Sequence, residues 1–361
     1  MSLVEIQALR QQIDAINLEL LDLLSARGKL AQQIGTIQEN LGMTQYDPRR
    51  ELEMLDILTT ANQGPFDNAT IKSLFKSIFQ ASMATSQKTE KPRFLTSRAH
   101  ATQDTVVMVG DVPVGGNNPP VLVAGPCAIE SESQVELTAQ VVASYGIKLF
   151  RGGAYKPRSN PYSFQGLGEP ALRWAREACD RHGLYFIAEI MDARDLELCL
   201  DYVDVLQIGA RNSQNFTLLK AVGETTRPVL LKRALAGTIE EWVMSAEYIL
   251  SRGNPNVILC ERGIRTYETY TRNTLDVSAV ALAKLETHLP VLVDATHSGG
   301  RRDLLVPLSK AGLAVGADGI MVEVHPNPAV ALSDQKQQLD FDQFAQYLKA
   351  VGWQPGGFPR S

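Results

Sequence analysis

Lys148-Leu-Phe-Arg-Gly-Gly-Ala-Tyr-Lys-Pro-Arg-Ser159 shows the design of this chain in miniature. A short apolar run ends abruptly in a cation, a flexible glycine pair follows, and two more cations and a hydroxyl come after it. Strands of a parallel sheet, buried on both faces, read as brief continuous apolar runs rather than alternating ones. The same figure recurs at 121–124, 148–150, 185–190, 203–208, 229–231, 257–260, 291–293 and 319–324. Segments with helical spacing lie between them, among them 132–145, 171–182, 239–251 and 301–315. Eight such runs alternating with helices predict an α/β fold, a (β/α)8 TIM barrel. An open doubly wound sheet is the competitor; even spacing and the lack of GxGxxG after the first run count against it. A short strand pair is expected within 105–114, closed off by Gly115-Gly-Asn-Asn118.

The N-terminal part has another period. Ile6, Leu9, Ile13, Ile16, Leu20, Leu23, Leu24, Leu30, Ile34 and Ile37 recur at helical spacing over 3–38. A helix of that length spans about 50 Å, too long for a small domain to cover alone, so a dimer is expected to bury it. Asp47-Pro48 signals the start of a second helix running to about 61. A third starts at or beside Asn68 and ends near Gln87. Residues 1–88 are thus read as an all-helical domain, 89–104 as a polar linker and 105–361 as the barrel. Gly352 to Ser361 reads as a surface tail.

Bulk properties exclude several classes. The 361 residues carry 35 Lys and Arg against 40 Asp and Glu, a mildly acidic balance that predicts no general nucleic-acid surface and no polybasic membrane surface. No apolar run reaches the length of a membrane span, and residues 1–10, amphipathic and containing Glu5, do not resemble a signal peptide. Cys127, Cys179, Cys199 and Cys260 lack CxxC spacing and read as reduced thiols of a cytoplasmic protein.

Chemistry in such a barrel belongs at the C-terminal ends of the strands. Those ends supply Cys127; Arg151, Lys156, Arg158 and Ser159; Glu189; Gln207 and Arg211; Lys232 and Arg233; Glu261 and Arg262; Asp294 and His297; and Glu323 and His325. One arginine at a strand end is more often a salt-bridged rim residue. Cations at the ends of the second, fourth, fifth and sixth strands at once would repel one another unless anions neutralise them, which points to phosphate and carboxylate ligands. Cys127 alone is more often an inert buried thiol, His297 a base or a loop histidine, and Glu323 and Asp334 ordinary acids. Barrel closure makes their strands neighbours, and together they form a mixed-ligand set for a divalent metal such as Mn, Fe, Co or Zn.

The runs GPCAIES, RGGAYKPRSNPYSFQGLG, IGARN, LLKR, ERGIRTY and DATHSGGRRDLL resemble the 3-deoxy-D-arabino-heptulosonate 7-phosphate (DAHP) synthases, over 121 to about 351. The resemblance implies condensation of phosphoenolpyruvate with erythrose 4-phosphate, the first step of the shikimate pathway. It carries over Cys127, His297, Glu323 and Asp334 as metal ligands. Arg151, Lys156, Arg211, Lys232 and Arg262 become the phosphoenolpyruvate cradle, and Lys156, Pro157, Arg158 and Ser159 hold erythrose 4-phosphate. Related synthases acting on arabinose 5-phosphate have a longer, Asn-containing version of the KPRS loop, so the four-carbon sugar is favoured. The metal is expected to act as Lewis acid on the aldehyde oxygen. Lys156, crowded by cations, is the candidate to manage a proton, and Glu189 to position water.

Residues 8–14 (ALRxxID), 23–35 (LLxxRGKLAxxIG) and 46–51 (YDPRRE) resemble the all-helical chorismate mutases. Arg10, Arg27, Asp47, Arg50 and Glu51 match that pattern, with Arg10 expected to reach the partner subunit's site. Two positions depart from it: Gln38 stands where a lysine is expected, and Ser86, one turn after Ser82, where a glutamine is expected. Losing the charged donor costs about 1.5–3 kcal/mol, or one to two powers of ten in rate. The domain is therefore read as a weak mutase, a chorismate- or prephenate-binding feedback regulator, or a dimerisation module, in a homodimer or homotetramer. For the barrel, the rivals are a Schiff-base aldolase using Lys232 or Lys156 and a non-catalytic sugar-phosphate sensor.

Overall fold

The structure, a computed structural model, describes residues 3–41, 47–86, 94–157 and 160–359. The chain divides into two compact units, Met1–Pro92 and Arg93–Ser361.

The first unit is three helices: α1 (Leu3–Asn40), α2 (Pro48–Ala61) and α3 (Asn68–Ser86). Asp47 caps α2 by accepting from the amides of Arg49 and Arg50, with Pro48 at the first helical position, where its missing N–H costs nothing. The cap of α3 is Asp67, whose Oδ1 accepts from Thr70 N at 2.7 Å. The apolar stripe of α1 finds little cover within this unit: Leu9, Ile13, Ile16, Leu20, Leu23 and Leu24 are all exposed.

The second unit begins with an antiparallel hairpin, β1 (Val106–Val109) and β2 (Val112–Gly115). The barrel strands are β3 (Val121–Gly125), β4 (Leu149–Arg151), β5 (Tyr185–Ile190), β6 (Val205–Ile208), β7 (Val229–Lys232), β8 (Val257–Glu261), β9 (Val291–Asp294) and β10 (Gly319–Glu323). All pair in parallel in chain order, and β10 returns to β3 to close the ring. The connections carry α4 (Glu132–Ser144), α5 (Glu169–His182), α6 (Leu196–Tyr202), α7 (Phe216–Gly223), α8 (Ile239–Leu250), α9 (Val277–Glu286), α10 (Ala295–Gly299) and α11 (Leu305–Ala314), and α12 (Phe341–Val351) follows β10. The expected strands fall where the apolar runs lie. Helix 301–315 is shorter than expected, because a 3-10 turn (Arg302–Leu304) takes its first residues.

Alternation along each strand sorts the apolar residues into two cores. Val121, Val123, Leu149, Ile187, Val205, Leu230, Ile258, Cys260, Leu292 and Met321 fill the barrel interior. Leu122, Phe150, Phe186, Leu206, Leu231, Leu259 and Val293 face the other way, into the annulus shared with the helices. The hairpin closes the N-terminal end of the barrel: Val107, Val109 and Val114 join the interior core, and Asp111 N donates to Tyr185 Oη at 3.1 Å.

Two stretches are more ordered than their composition suggests. Residues 94–104, read as linker, are fastened to the barrel. Glu247 accepts from the amides of Leu95 and Thr96 at 2.9 Å each, and His288 contacts both Thr105 Oγ1 and the Leu95 carbonyl at 2.6 Å. The expected surface tail is corrected as well. Phe358 is buried against Trp353, its amide donates to Pro120 O at 2.9 Å, and Trp353 Nε1 donates to Tyr145 O at 3.0 Å. Two aromatic rings in a polar, proline-rich context carried the packing that composition concealed.

Glu247→Ala strands the buried amide of Thr96 together with that of Leu95, and is expected to cost about 1–3 kcal/mol. A lowered urea midpoint with unchanged slope would register it.

Candidate active site

The alternation that fills the barrel below also decides which strand-end residues face its mouth. Arg151 shares parity with Leu149, Glu189 with Ile187, Gln207 with Val205, Lys232 with Leu230, Arg262 with Cys260, Asp294 with Leu292 and Glu323 with Met321, so all are directed inward. Arg233 and Glu261 have the opposite parity. They pair behind the wall at 3.0 Å, and Arg233 also reaches Asp276 at 2.9 Å and Gly237 O at 3.0 Å.

Cys127, His297, Glu323 and Asp334 each offer a ligand atom, and the four atoms lie within 4.8 Å of one another. His297 Nε2 is 3.4 Å from Glu323 Oε1 and 3.6 Å from Asp334 Oδ2; Cys127 Sγ is 3.5 Å from Asp334 Oδ2. His297 Nδ1 lies 2.7 Å from Asp294 Oδ2, which places the ring proton there and leaves the Nε2 lone pair facing the other donors. Burial pushes the imidazole below its ordinary value and so favours the neutral ring. Burial, with Glu323 adding to it, pushes the Cys127 thiol up to about 12 against the opposing pull of Lys156. One sulfur, one nitrogen and two carboxylates, converging and oriented, fit a divalent metal ion.

The cations lie against this quartet. Lys156 Nζ is 3.0 Å from both Cys127 Sγ and Cys127 O. Arg151 Nη1 reaches Glu323 Oε1 at 2.9 Å and Pro126 O at 2.7 Å. Lys232 pairs with Asp294, the same carboxylate that orients His297. Mutual repulsion of the cations is thus relieved in part by carboxylates of the site itself. Arg262 makes no ion pair among the described residues; it donates to Gly263 O at 3.2 Å, and burial pulls its pKa down. Arg233 shows the reverse: burial opposes, but Asp276 and Glu261 outweigh it and raise the pKa. Glu189 takes a 3.5 Å contact from Gln207 Nε2 and leans over Gly209, where a Cβ would meet its carboxylate.

Arg151, Lys156, Glu189, Lys232 and Arg262 are therefore brought to one mouth with the four metal-ligand candidates. Pro157 lies half-buried beside them, and Arg211 is exposed on the loop after β6. Arg158 and Ser159 lie outside the described residues. Asp294 stood among the strand-end residues without a role, and Arg272 and Gln337 were not singled out. The place of Asp294 three residues before His297, where it caps α10, signals its part.

In the helical unit, Arg27, Gln38, Asp47, Arg50, Glu51 and Ser82 line one cavity of about 510 Å³, with Leu30, Ile34, Met54, Phe79 and Met83 as its apolar wall. Arg27 donates to Ser82 Oγ and sits 4.9 Å from the centre of the Phe79 ring. Arg10 is exposed on α1, about 25 Å before Arg27 at 1.5 Å per residue, and takes no part in the cavity wall. The side chain of Ser86 lies outside what is described.

Residues 88–355 match the model of the DAHP synthetase I family, and residues 9–87 that of chorismate mutase type II. A phospho-2-dehydro-3-deoxyheptonate aldolase of Thermotoga maritima is 54% identical over 261 residues, 72% of this chain and 77% of that protein. A 2-dehydro-3-deoxyphosphooctonate aldolase of Syntrophotalea carbinolica is 32% identical over 261 residues, 67% of this chain and 93% of the other. The crystal structure of the Thermotoga maritima phospho-2-dehydro-3-deoxyheptonate aldolase (DAHP synthase) superposes with a TM-score of 0.70 at 52% identity, covering 73% of this chain and 76% of that one.

The opposite parity of Arg233 makes it a support of the wall. Arg233→Ala leaves Glu261 buried and uncompensated, an expected loss of about 3–5 kcal/mol, to be read in denaturant unfolding.

Proposed function

The chain belongs to the DAHP synthetase I family, and from that premise we propose that its barrel condenses phosphoenolpyruvate with erythrose 4-phosphate, releasing DAHP and inorganic phosphate. The observation that carries this reading is the meeting of a four-donor cluster with buried Arg151, Lys156, Lys232 and Arg262 at one mouth. Two anionic substrates need such a cation density, and an aldehyde acceptor needs an electrophilic activator.

Cys127, His297, Glu323 and Asp334 would hold a divalent metal, which when bound supplies Lewis acidity toward the aldehyde oxygen. Arg151, Lys156, Lys232 and Arg262, joined by Arg211 from the rim, hold the carboxylate and phosphate of phosphoenolpyruvate. They fix its C3 against the aldehyde carbon, where the new carbon–carbon bond forms. Pro157, Arg158 and Ser159, with Lys156, receive the sugar phosphate. Lys156 donates a proton as the aldehyde oxygen becomes a hydroxyl. Glu189 orients the water that adds at C2, after which phosphate departs with C–O cleavage. The short KPRS loop favours erythrose 4-phosphate over the five-carbon sugar.

The helical unit is read as a weak chorismate mutase, a chorismate- or prephenate-binding regulator of the barrel, or both. Support comes from its cavity, where Arg27 and Arg50 face an apolar wall sized for a small dicarboxylate, and where Gln38 offers an uncharged donor. The exposed stripe of α1 supports a homodimer or a larger homo-oligomer. Four buried free thiols fit a reducing cytoplasm.

Phosphate release from the two substrates is expected to stop with EDTA, return with Mn2+ and fall when prephenate is added. Release that ignores chelators, with borohydride trapping substrate on Lys232, would instead establish the Schiff-base aldolase. In a separate assay of the full chain, Gln38→Lys should raise mutase turnover roughly ten- to a hundredfold; no rise would leave the cavity a binding site alone.

A further inference from the structure

Two carboxylates facing one small space, one fully buried and the other half-buried, repel each other strongly. Glu323 and Asp334 are nonetheless held together, by a residue with no charge of its own. Gln337 is 3% exposed. Its Nε2 donates to Glu323 Oε2 at 2.8 Å and to Asp334 Oδ2 at 3.0 Å, one N–H for each carboxylate. Its Oε1 accepts from Arg272 Nη1 at 2.8 Å, and the same Nη1 reaches Asp334 Oδ2 at 3.0 Å. The amide has one tolerable orientation. Flipped, its oxygen would face two carboxylates and its NH2 a guanidinium, three repulsive contacts in place of three attractive ones.

The arrangement also divides the two oxygens of Glu323, whose Oε1 meets Arg151 Nη1, while on Asp334 the single oxygen Oδ2 meets Gln337, Arg272, His297 and Cys127. Gln337 occupies Glu323 Oε2, so Oε1 is the oxygen turned toward His297 Nε2. Asp334 itself has φ of 51°, a left-handed conformation uncommon outside glycine, which the surrounding contacts must maintain. Arg272 comes from the loop between β8 and α9, and its neighbour Asn273 donates to His297 O at 2.8 Å. One loop therefore supports both the histidine and the aspartate. Cys127 is held through its backbone by the next residue along, its amide donating to Gln338 Oε1 at 2.9 Å.

We infer that Gln337, oriented by Arg272, is the positioning residue that sets the carboxylate half of the metal site before any ion arrives. The inference rests on the metal-site reading above. Groups outside the ligand set that hold the ligands in place commonly change metal affinity about ten- to a hundredfold when lost.

The test is Mn2+ affinity of the metal-stripped full chain, measured by competition against a chromophoric chelator. Gln337→Met keeps length and removes the donors; its Kd is expected to rise roughly ten- to a hundredfold. The Co2+ form should retain its thiolate charge-transfer band, because Cys127 is anchored through Gln338. If Gln337→Met does not fold, Arg272→Met decides at a partly exposed position. It frees the amide to turn, with an expected loss of about tenfold. Wild-type affinity in a folded Gln337→Met protein, or in Arg272→Met if that variant must decide, overturns the inference and leaves the metal site standing. A wild-type chain that binds no divalent ion overturns both.

Discussion

The pairing of the last strand with the first holds this molecule in its working form. Gly319 to Glu323 lies in register against Val121 to Gly125, so Glu323 stands opposite Gly125, two residues before Cys127. Residues far apart in sequence, on the first and last strands, become spatial neighbours only through that closure. On the other side of β3 the close approach of β4 depends on Gly125, whose φ is 151° and whose absent Cβ would lie 2.0 Å from the Arg151 carbonyl. A side chain there would push β4 away from β3 and carry Arg151 off both Glu323 and the Pro126 carbonyl.

Given closure, parity does the sorting. A residue one place along a strand is directed either into the mouth or into the helical annulus, and the chemistry follows that choice. Lys232 and Arg233 are adjacent cations with opposite fates: one shares Asp294 with His297, the other buttresses Glu261 behind the wall. The inward set is a lattice of alternating charge. Lys232, Asp294 and His297 form one arm of it and Arg151 with Glu323 another, and both end at the donor cluster. A change in one arm is consequently felt at the donor cluster and among the buried cations together.

Much of this was legible in the chain because barrel strands are local signals. Each apolar run predicts its own strand, and the residue that ends it predicts its own place at the mouth. Cys127, His297 and Glu323 could be placed at the mouth that way, as could Arg151 and Lys232, whereas Asp334, well past the end of β10, came with the family resemblance. Gln337 and Arg272 could not. An amide in the run Gln335-Lys-Gln-Gln338 looks like solvated loop until a guanidinium 65 residues away fixes its orientation. Phe358 and the segment from Leu95 to Thr105 escaped for a related reason: their anchors, Pro120, Glu247 and His288, are distant in sequence, and polar composition gave no hint of them.

The hairpin that closes the N-terminal end of the barrel bears on traffic as well as on packing. With Val107, Val109 and Val114 sealing the floor and strand side chains filling the interior above it, the barrel opens only at its mouth. Whatever reaches the buried cations Arg151, Lys232 and Arg262 therefore has to enter and leave at the C-terminal ends of the strands, far from that sealed floor.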